Sequence, residues 1–158
     1  MPASAYDVEP LLVQVSRMSR LLHRLKGSTP GGSYDRSANV LLLVIDRVGP
    51  LRIADLATTC HVDASTVSRQ AAELVREGLV HRQADPQDGR ASLMALTTAG
   101  AKHVAYIKQR RREFFEQVVS GWEPQTVDVF LALLTRFVDD IEQRVERSAE
   151  PSTVGADA

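Results

Sequence analysis

Between Asp63 and Ala71 the chain gathers Ser65, Thr66, Ser68, Arg69 and Gln70 into one short hydrogen-bonding stretch. Residues of these types at this spacing suit a nucleic-acid surface. The guanidinium fork of Arg69 matches the O6 and N7 edge of guanine, and the amide of Gln70 matches the N6 and N7 edge of adenine. Each good bidentate pair discriminates against a wrong base by about 1–3 kcal/mol. Ser65 and Thr66, if they open a helix, lie beside its free backbone N–H groups and suit phosphate oxygens. The same residues would also make an ordinary solvated helix face, so the elements that carry them must decide.

Other chemistries find little support in the sequence. The four histidines, His23, His61, His81 and His103, are scattered, with no HExxH pair for a metal and no cysteine partner. The GxSxG, GxGxxG and GxxxxGK(S/T) patterns are absent, so the chain reads as no enzyme, without metal or cofactor. A single cysteine, Cys60, rules out an intramolecular disulfide framework. Following Ala57-Thr58-Thr59 on the side expected to face the core, Cys60 reads as a small inert hydrophobe rather than a redox sensor.

With 158 residues, 44% of them hydrophobic and 25% charged, the chain has the size of one globular domain and is too apolar to be disordered. The net charge of -1 argues at face value against a polyanion partner, but the charge is segregated. Residues 1–60 hold seven bases and five acids, residues 61–112 nine and five, and residues 113–158 three and ten. A basic middle beside an acidic end fits a polyanion-binding module on a solvated scaffold, although chance segregation would look the same. The densest basic run, Lys108 to Arg112, reads as a solvated helix face. Its alternatives are phosphate contact at the flank of a site, or pairing of Arg111 with Asp139 or Glu142. The longest apolar run, Val40 to Ile45, is far short of the roughly 20 residues that cross a bilayer, and the first residues carry no export signal. The expected location is the cytoplasm.

The elements follow from apolar spacing and punctuation. Leu11, Val15, Met18, Leu22 and Leu25 make one helical stripe, ended by the Gly27 to Ser33 loop. A second helix runs from about Asp35 to Val48 and stops at Gly49-Pro50; its Val40–Ile45 run, apolar nearly all round, marks it as central. A short helix from Ile53 to Thr59, a break at His61-Val62 and a helix from Asp63 to Glu77 have the composition of a helix-turn-helix. Asp63 is placed to N-cap with its carboxylate on the N–H of Ser65 or Thr66, and Gly78 closes the helix. Val67, Ala71 and Leu74 point inward, which turns Ser65, Thr66, Ser68, Arg69 and Gln70 outward. Strands at Leu79–Gln83 and Ala91–Leu96 flank Asp85-Pro86 and Asp88-Gly89; the Asp-Gly pair predicts a tight hairpin turn with positive φ at both central residues. Two long helices follow, one from Thr98 with Val104, Ile107, Phe114 and Val118, the other from Pro124 with Trp122 placed to staple onto Val127. From Ser148 onward the periodicity is lost, and a disordered tail is expected.

The stretch Leu51 to Gly100 resembles the winged helix-turn-helix of the MarR family, the multiple antibiotic resistance regulators. The resemblance rests on Leu56-Ala57, on Val62-Asp63-Ala64-Ser65-Thr66-Val67-Ser68-Arg69, and on Leu74-Val75-Arg76-Glu77-Gly78-Leu79-Val80-His81-Arg82. Asp85-Pro86-Gln87-Asp88-Gly89-Arg90-Ala91 and Leu96-Thr97-Thr98-Ala99-Gly100 are similar to that family's DxRDxR…LTxxG signature. The flanking helices also occur in the family's order. Gln87 stands where many members have arginine, which lowers the basicity of the wing; Gly89 replaces a bulkier residue and Cys60 a leucine.

The resemblance implies a mainly α (α+β) fold: a winged helix-turn-helix with a three-stranded wing sheet, flanked by N- and C-terminal dimerisation helices. The expected division is residues 1–34 for the first dimerisation helix and loop, 35–97 for the winged module, 98–147 for the C-terminal dimerisation helices and 148–158 for the tail. It further implies that Arg90, at the wing tip, enters the minor groove, and that Asp88 orients it; a plain surface ion pair is the alternative. Apolar stripes on the first, fifth and sixth helices want a partner, either one another or a second copy. Two copies would set two recognition helices about 34–36 Å apart, the spacing of a palindrome. The expected function is therefore a homodimeric, sequence-specific regulator of transcription that binds double-stranded DNA, a repressor released by a small aromatic or anionic effector. His23, Tyr34 and Arg47 fall in regions that would line the effector crevice, and structural roles for them are the alternative. A winged module that binds RNA or protein instead is the competing reading.

Overall fold

The computed structural model describes residues 7–25 and 36–149. Among them it places six helices and a hairpin: α1 (Glu9–Leu25), α2 (Arg36–Val48), α3 (Ile53–Cys60), α4 (Ala64–Arg76), β1 (Val80–Ala84), β2 (Ser92–Leu96), α5 (Thr98–Val119) and α6 (Pro124–Ala149). The chain divides into two compact units, Met1–Tyr106 and Ile107–Ala158, with the boundary inside α5.

The core of the first unit is built on α2. Leu41, Leu42 and Ile45 are buried and Leu43 and Val44 partly so, as an apolar run around a central helix requires; Val40 alone in the run is exposed. Against them pack Leu56 of α3, Val67, Ala71 and Leu74 of α4, then Leu79, Val80, Met94 and Val104. Gly49, at φ +98°, ends α2 in a conformation that costs a glycine little, and Pro50 cannot continue the ladder. Between α3 and α4 the backbone reverses at His61 (φ 51°), whose N–H reaches the carbonyl of Thr58 at 3.2 Å. Asp63 holds the N-cap position of α4 but makes no side-chain cap bond, contrary to the sequence expectation. Its backbone carbonyl takes the N–H groups of Thr66 (2.9 Å) and Val67 (3.0 Å), and the exposed carboxylate stays in water.

The far end of α4 closes as a Schellman motif. Gly78, one residue beyond the C-cap Glu77, has φ +70°; its N–H reaches Val75 O and that of Leu79 reaches Leu74 O, both at 3.0 Å. Leu79 is thereby turned into the core and the chain enters β1.

β1 and β2 pair antiparallel from Val80↔Leu96 to Ala84↔Ser92. The expected third strand is reduced to one bridge, Leu51↔Met94, with reciprocal bonds of 3.2 and 2.8 Å. Pro50 has no N–H to donate and α3 starts at Ile53, so nothing longer fits. Nor is the hairpin turn the tight Asp-Gly type. Residues 85–91 form two successive turns, Asp88 N–H to Asp85 O (3.3 Å) and Ala91 N–H to Asp88 O (2.8 Å), and Gly89 is not at positive φ. Asp88 is the first residue of the second turn rather than a central one, a place that carboxylates favour in ordinary turns.

The Leu96-Thr97-Thr98-Ala99-Gly100 segment locks α5 onto this module. Thr97 Oγ1 donates to Gly78 O (2.6 Å) and accepts the Gly100 N–H (3.0 Å), while the Thr97 N–H reaches Leu79 O (3.0 Å). Thr97 thus caps α5 and ties it to the end of α4. Nearby, the His103 ring and the Asn39 amide join α5 to α2 at 3.2 Å.

In the second unit, Trp122 precedes α6 and meets Phe130 edge to face, ring centroids 5.4 Å apart, one turn beyond the Val127 expected to be its partner. The helix also outlasts the expected limit at Ser148, whose hydroxyl bonds back to Arg144 O at 2.8 Å. The Gly27–Ser33 loop and the tail beyond Ala149 lie outside the described residues.

Candidate nucleic-acid interface

Burial of Val67, Ala71 and Leu74 fixes the rotation of α4, and the opposite face is the one rich in donors and acceptors. Ser65, Ser68 and Arg69 are exposed, Thr66 and Gln70 half-buried. The Arg69 guanidinium rests on Thr66 Oγ1 at 3.4 Å, a long contact that a base edge can replace at little cost. Ser65 and Thr66 occupy the first turn of α4, where backbone N–H groups lack helical partners.

Arg90 is exposed in the loop between β1 and β2. Asp88 does contact it, but through the backbone: Asp88 Oδ1 accepts the Arg90 N–H at 3.1 Å, and no bond joins the carboxylate to the Arg90 guanidinium. The other Asp88 oxygen faces Arg52 at 3.6 Å. Arg52 also grips Asp85, with Nε at 2.8 Å and Nη2 at 2.5 Å from Oδ2, while Asp85 Oδ1 accepts the Gln87 N–H at 2.8 Å. Asp85 is the only buried charged residue among those described, 8% exposed. The sequence marks Asp85 as a turn residue and gives no sign of a role for Arg52. Thirty-three positions separate the two, and no local period points from one to the other.

The Gln87 N–H, then the Arg52 guanidinium, hold the Asp85 carboxyl below the usual carboxylate range, against the opposing effect of burial. The Asp85 hydrogen bond in turn raises Arg52 further. A depressed carboxyl stabilises the fold above its unfolded pKa and loses that contribution as pH falls through the folded one. Asp85→Asn is therefore expected to melt below the wild type at neutral pH, with the gap closing as the solution is acidified below pH ~4. Thermal melts from pH 6 to pH 3 check this; a gap that does not narrow would contradict it.

Arg47, assigned to an effector crevice from the sequence, is exposed in the last turn of α2, where its charge suits the helix C-terminus. Tyr34 and the side chain of His23 lie outside the described residues. Cys60 is half-buried against the core, and burial pushes its thiol pKa up, away from the reactive thiolate. In the Lys108–Arg112 run, Arg110 pairs back along α5 with Glu113 at 3.0 Å, and Arg111 is exposed. Among the described residues, no cluster of three or more His, Cys, Asp or Glu could hold a metal, and no helix is long and apolar enough to cross a membrane.

Comparison with known proteins shows the family and the fold. The model of the MarR family matches residues 37–91. YxaD of Bacillus subtilis (strain 168), an uncharacterized HTH-type transcriptional regulator, is 40% identical over 105 residues, covering 66% of this chain and 73% of its own. Among solved structures, FabT of Streptococcus pneumoniae in complex with DNA superposes with a TM-score of 0.66 at 19% identity, covering 86% of this chain and 96% of FabT. The PcaV transcriptional regulator of Streptomyces coelicolor, in complex with its natural ligand, gives 0.62 at 22% identity, covering 87% and 98%. At those identities the two structures speak for the fold.

Proposed function

The chain belongs to the MarR family of DNA-binding transcriptional regulators, and on that premise we propose that it is a homodimeric repressor of a palindromic operator, released by a small aromatic or anionic effector. The observation that carries the DNA reading is the polar face of α4, turned outward by its buried stripe, in the same unit as a hairpin tipped by an exposed arginine. Ser65, Thr66, Ser68, Arg69 and Gln70 are assigned to the major groove and its phosphates, Arg90 to the minor groove, and Asp88 to holding the Arg90 backbone. FabT, solved with DNA, supports a duplex as the partner.

Pairing of two copies is supported by apolar surface that water would not leave bare. α1 exposes Leu11, Leu12, Val13, Met18, Leu21 and Leu22, and α6 exposes Val129, Phe130, Leu131, Leu133, Ile141 and Val145. Apolar faces of this extent mark interaction sites. Residues 1–34 and 98–147 are accordingly assigned to the dimer and 35–97 to the DNA. Binding of an effector has its support in PcaV, solved with its natural ligand, and Arg47 offers an exposed cation to an anionic ligand.

Sedimentation of the protein, free and on the duplex it selects from genomic DNA, tests the reading. A dimer at micromolar concentration is expected, with two chains per duplex, affinity falling steeply with salt and release by an aromatic acid. A monomer, or binding that favours RNA or protein over duplex DNA, would contradict it.

A further inference from the structure

Arg52 stands at the N-cap of α3, where serine, threonine or aspartate would satisfy the first helical N–H groups, yet it makes no cap bond. Its guanidinium instead crosses to the wing loop and lies against two carboxylates there, Asp85 Oδ2 and Asp88 Oδ2. The second oxygen of each carboxylate takes a loop N–H, Asp85 that of Gln87 and Asp88 that of Arg90. One cation therefore braces both side-chain turns of residues 85–91, and the path guanidinium, Asp88, Arg90 N–H ends at the wing tip. The loop's backbone adds only Asp85–Ala91, Asp88–Asp85 and Ala91–Asp88 bonds to hold it.

We propose that Arg52 is a positioning residue for DNA binding: through Asp85 and Asp88 it fixes the wing loop to the start of α3, and so sets where Arg90 meets the duplex. Arg52 acts on the duplex through Arg90, without touching it. This rests on the reading of Arg90 as a duplex contact. A lysine keeps the charge but lacks the planar fork that serves two carboxylates at once.

The test is a binding cycle on the protein's selected duplex with wild type, Arg52→Ala, Arg90→Ala, the double variant and Arg52→Lys. Arg52→Ala is expected to bind about fivefold more weakly, within the range for coupled residues of one hydrogen-bond network. The double variant should bind no more weakly than Arg90→Ala, and Arg52→Lys should recover less than half of the loss. Asp88→Ala, which cuts the link but leaves Arg52 on Asp85, should match Arg52→Ala and serves where that variant folds poorly. Losses that multiply in the double variant, or full rescue by lysine, would make Arg52 a direct phosphate contact and overturn the proposal. So would an Arg52→Ala or Asp88→Ala that binds as the wild type does while Arg90→Ala is weakened. If Arg90→Ala itself binds as the wild type does, the reading of Arg90 fails and the role of Arg52 falls with it.

Discussion

Gly100→Ala is expected to be among the most damaging single-methyl changes in the chain. A Cβ at this position would lie 2.0 Å from the carbonyl oxygen of Leu79, 3.0 Å from its carbonyl carbon and 3.3 Å from Leu96 Cδ2. The obstacle is backbone, and it is held: the same Leu79 oxygen accepts the Thr97 N–H that seats α5. Relief would need α5 to lift from the end of α4, breaking the Thr97 bonds to Gly78 and Leu79. Overpacking of a tight core costs about 1–3 kcal/mol and sometimes more, from a total stability of about 5–15 kcal/mol. For a chain of this size that corresponds to a melting point lower by about 2–12 °C, or to failure to fold. Gly121→Ala is the control, with open space around its Cβ and no positive φ. Calorimetry on the two variants decides, and a Gly100→Ala melt within about 2 °C of the wild type would contradict the packing account.

Arg69→Ala should weaken binding to the selected duplex by roughly 10- to 100-fold, the loss of one bidentate base contact worth about 1–3 kcal/mol. Its exposed guanidinium has only the 3.4 Å contact to Thr66 to give up on binding. The loss should be confined to specific binding, with non-specific affinity little changed, and the base preference at one position should relax. Competition titrations against a library randomised at single positions measure both. A uniform loss across all sequences would make Arg69 a phosphate contact instead.

Much of this arrangement was legible because it is local. The buried stripe Val67, Ala71, Leu74 follows from helical period alone, and once it is inward the outward face has no freedom. Gly49-Pro50 and Gly78 mark helix ends because few residues tolerate the backbone those ends require. What sequence missed lies where several local solutions compete. At Asp63 the backbone carbonyl took the Thr66 N–H, one of the two donors expected for the carboxylate. At Asp88-Gly89 the strong signal for a two-residue turn lost to two successive turns, each supported by a carboxylate bonded to a loop N–H. Arg52 with Asp85 was out of reach for a different reason. Their pairing depends on the hairpin folding back beside the start of α3, where Leu51 bridges Met94, and that is a tertiary event without a periodic trace. The glycine of the Thr97–Gly100 signature was readable as a motif, but its reason, the approach of the Leu79 carbonyl, appears only in three dimensions.

In the proposed complex α4 and the Arg90 wing engage neighbouring grooves of one duplex, twice over in a dimer. Groove-resolved interference on the selected duplex separates the two contacts, using guanine N7 methylation for the major groove and adenine N3 methylation for the minor groove. Two patches of guanine interference about one helical turn apart are expected, each beside a patch of adenine interference that disappears in Arg90→Ala while the guanine patches remain. Interference confined to one groove, or an adenine pattern unchanged in Arg90→Ala, would contradict this arrangement.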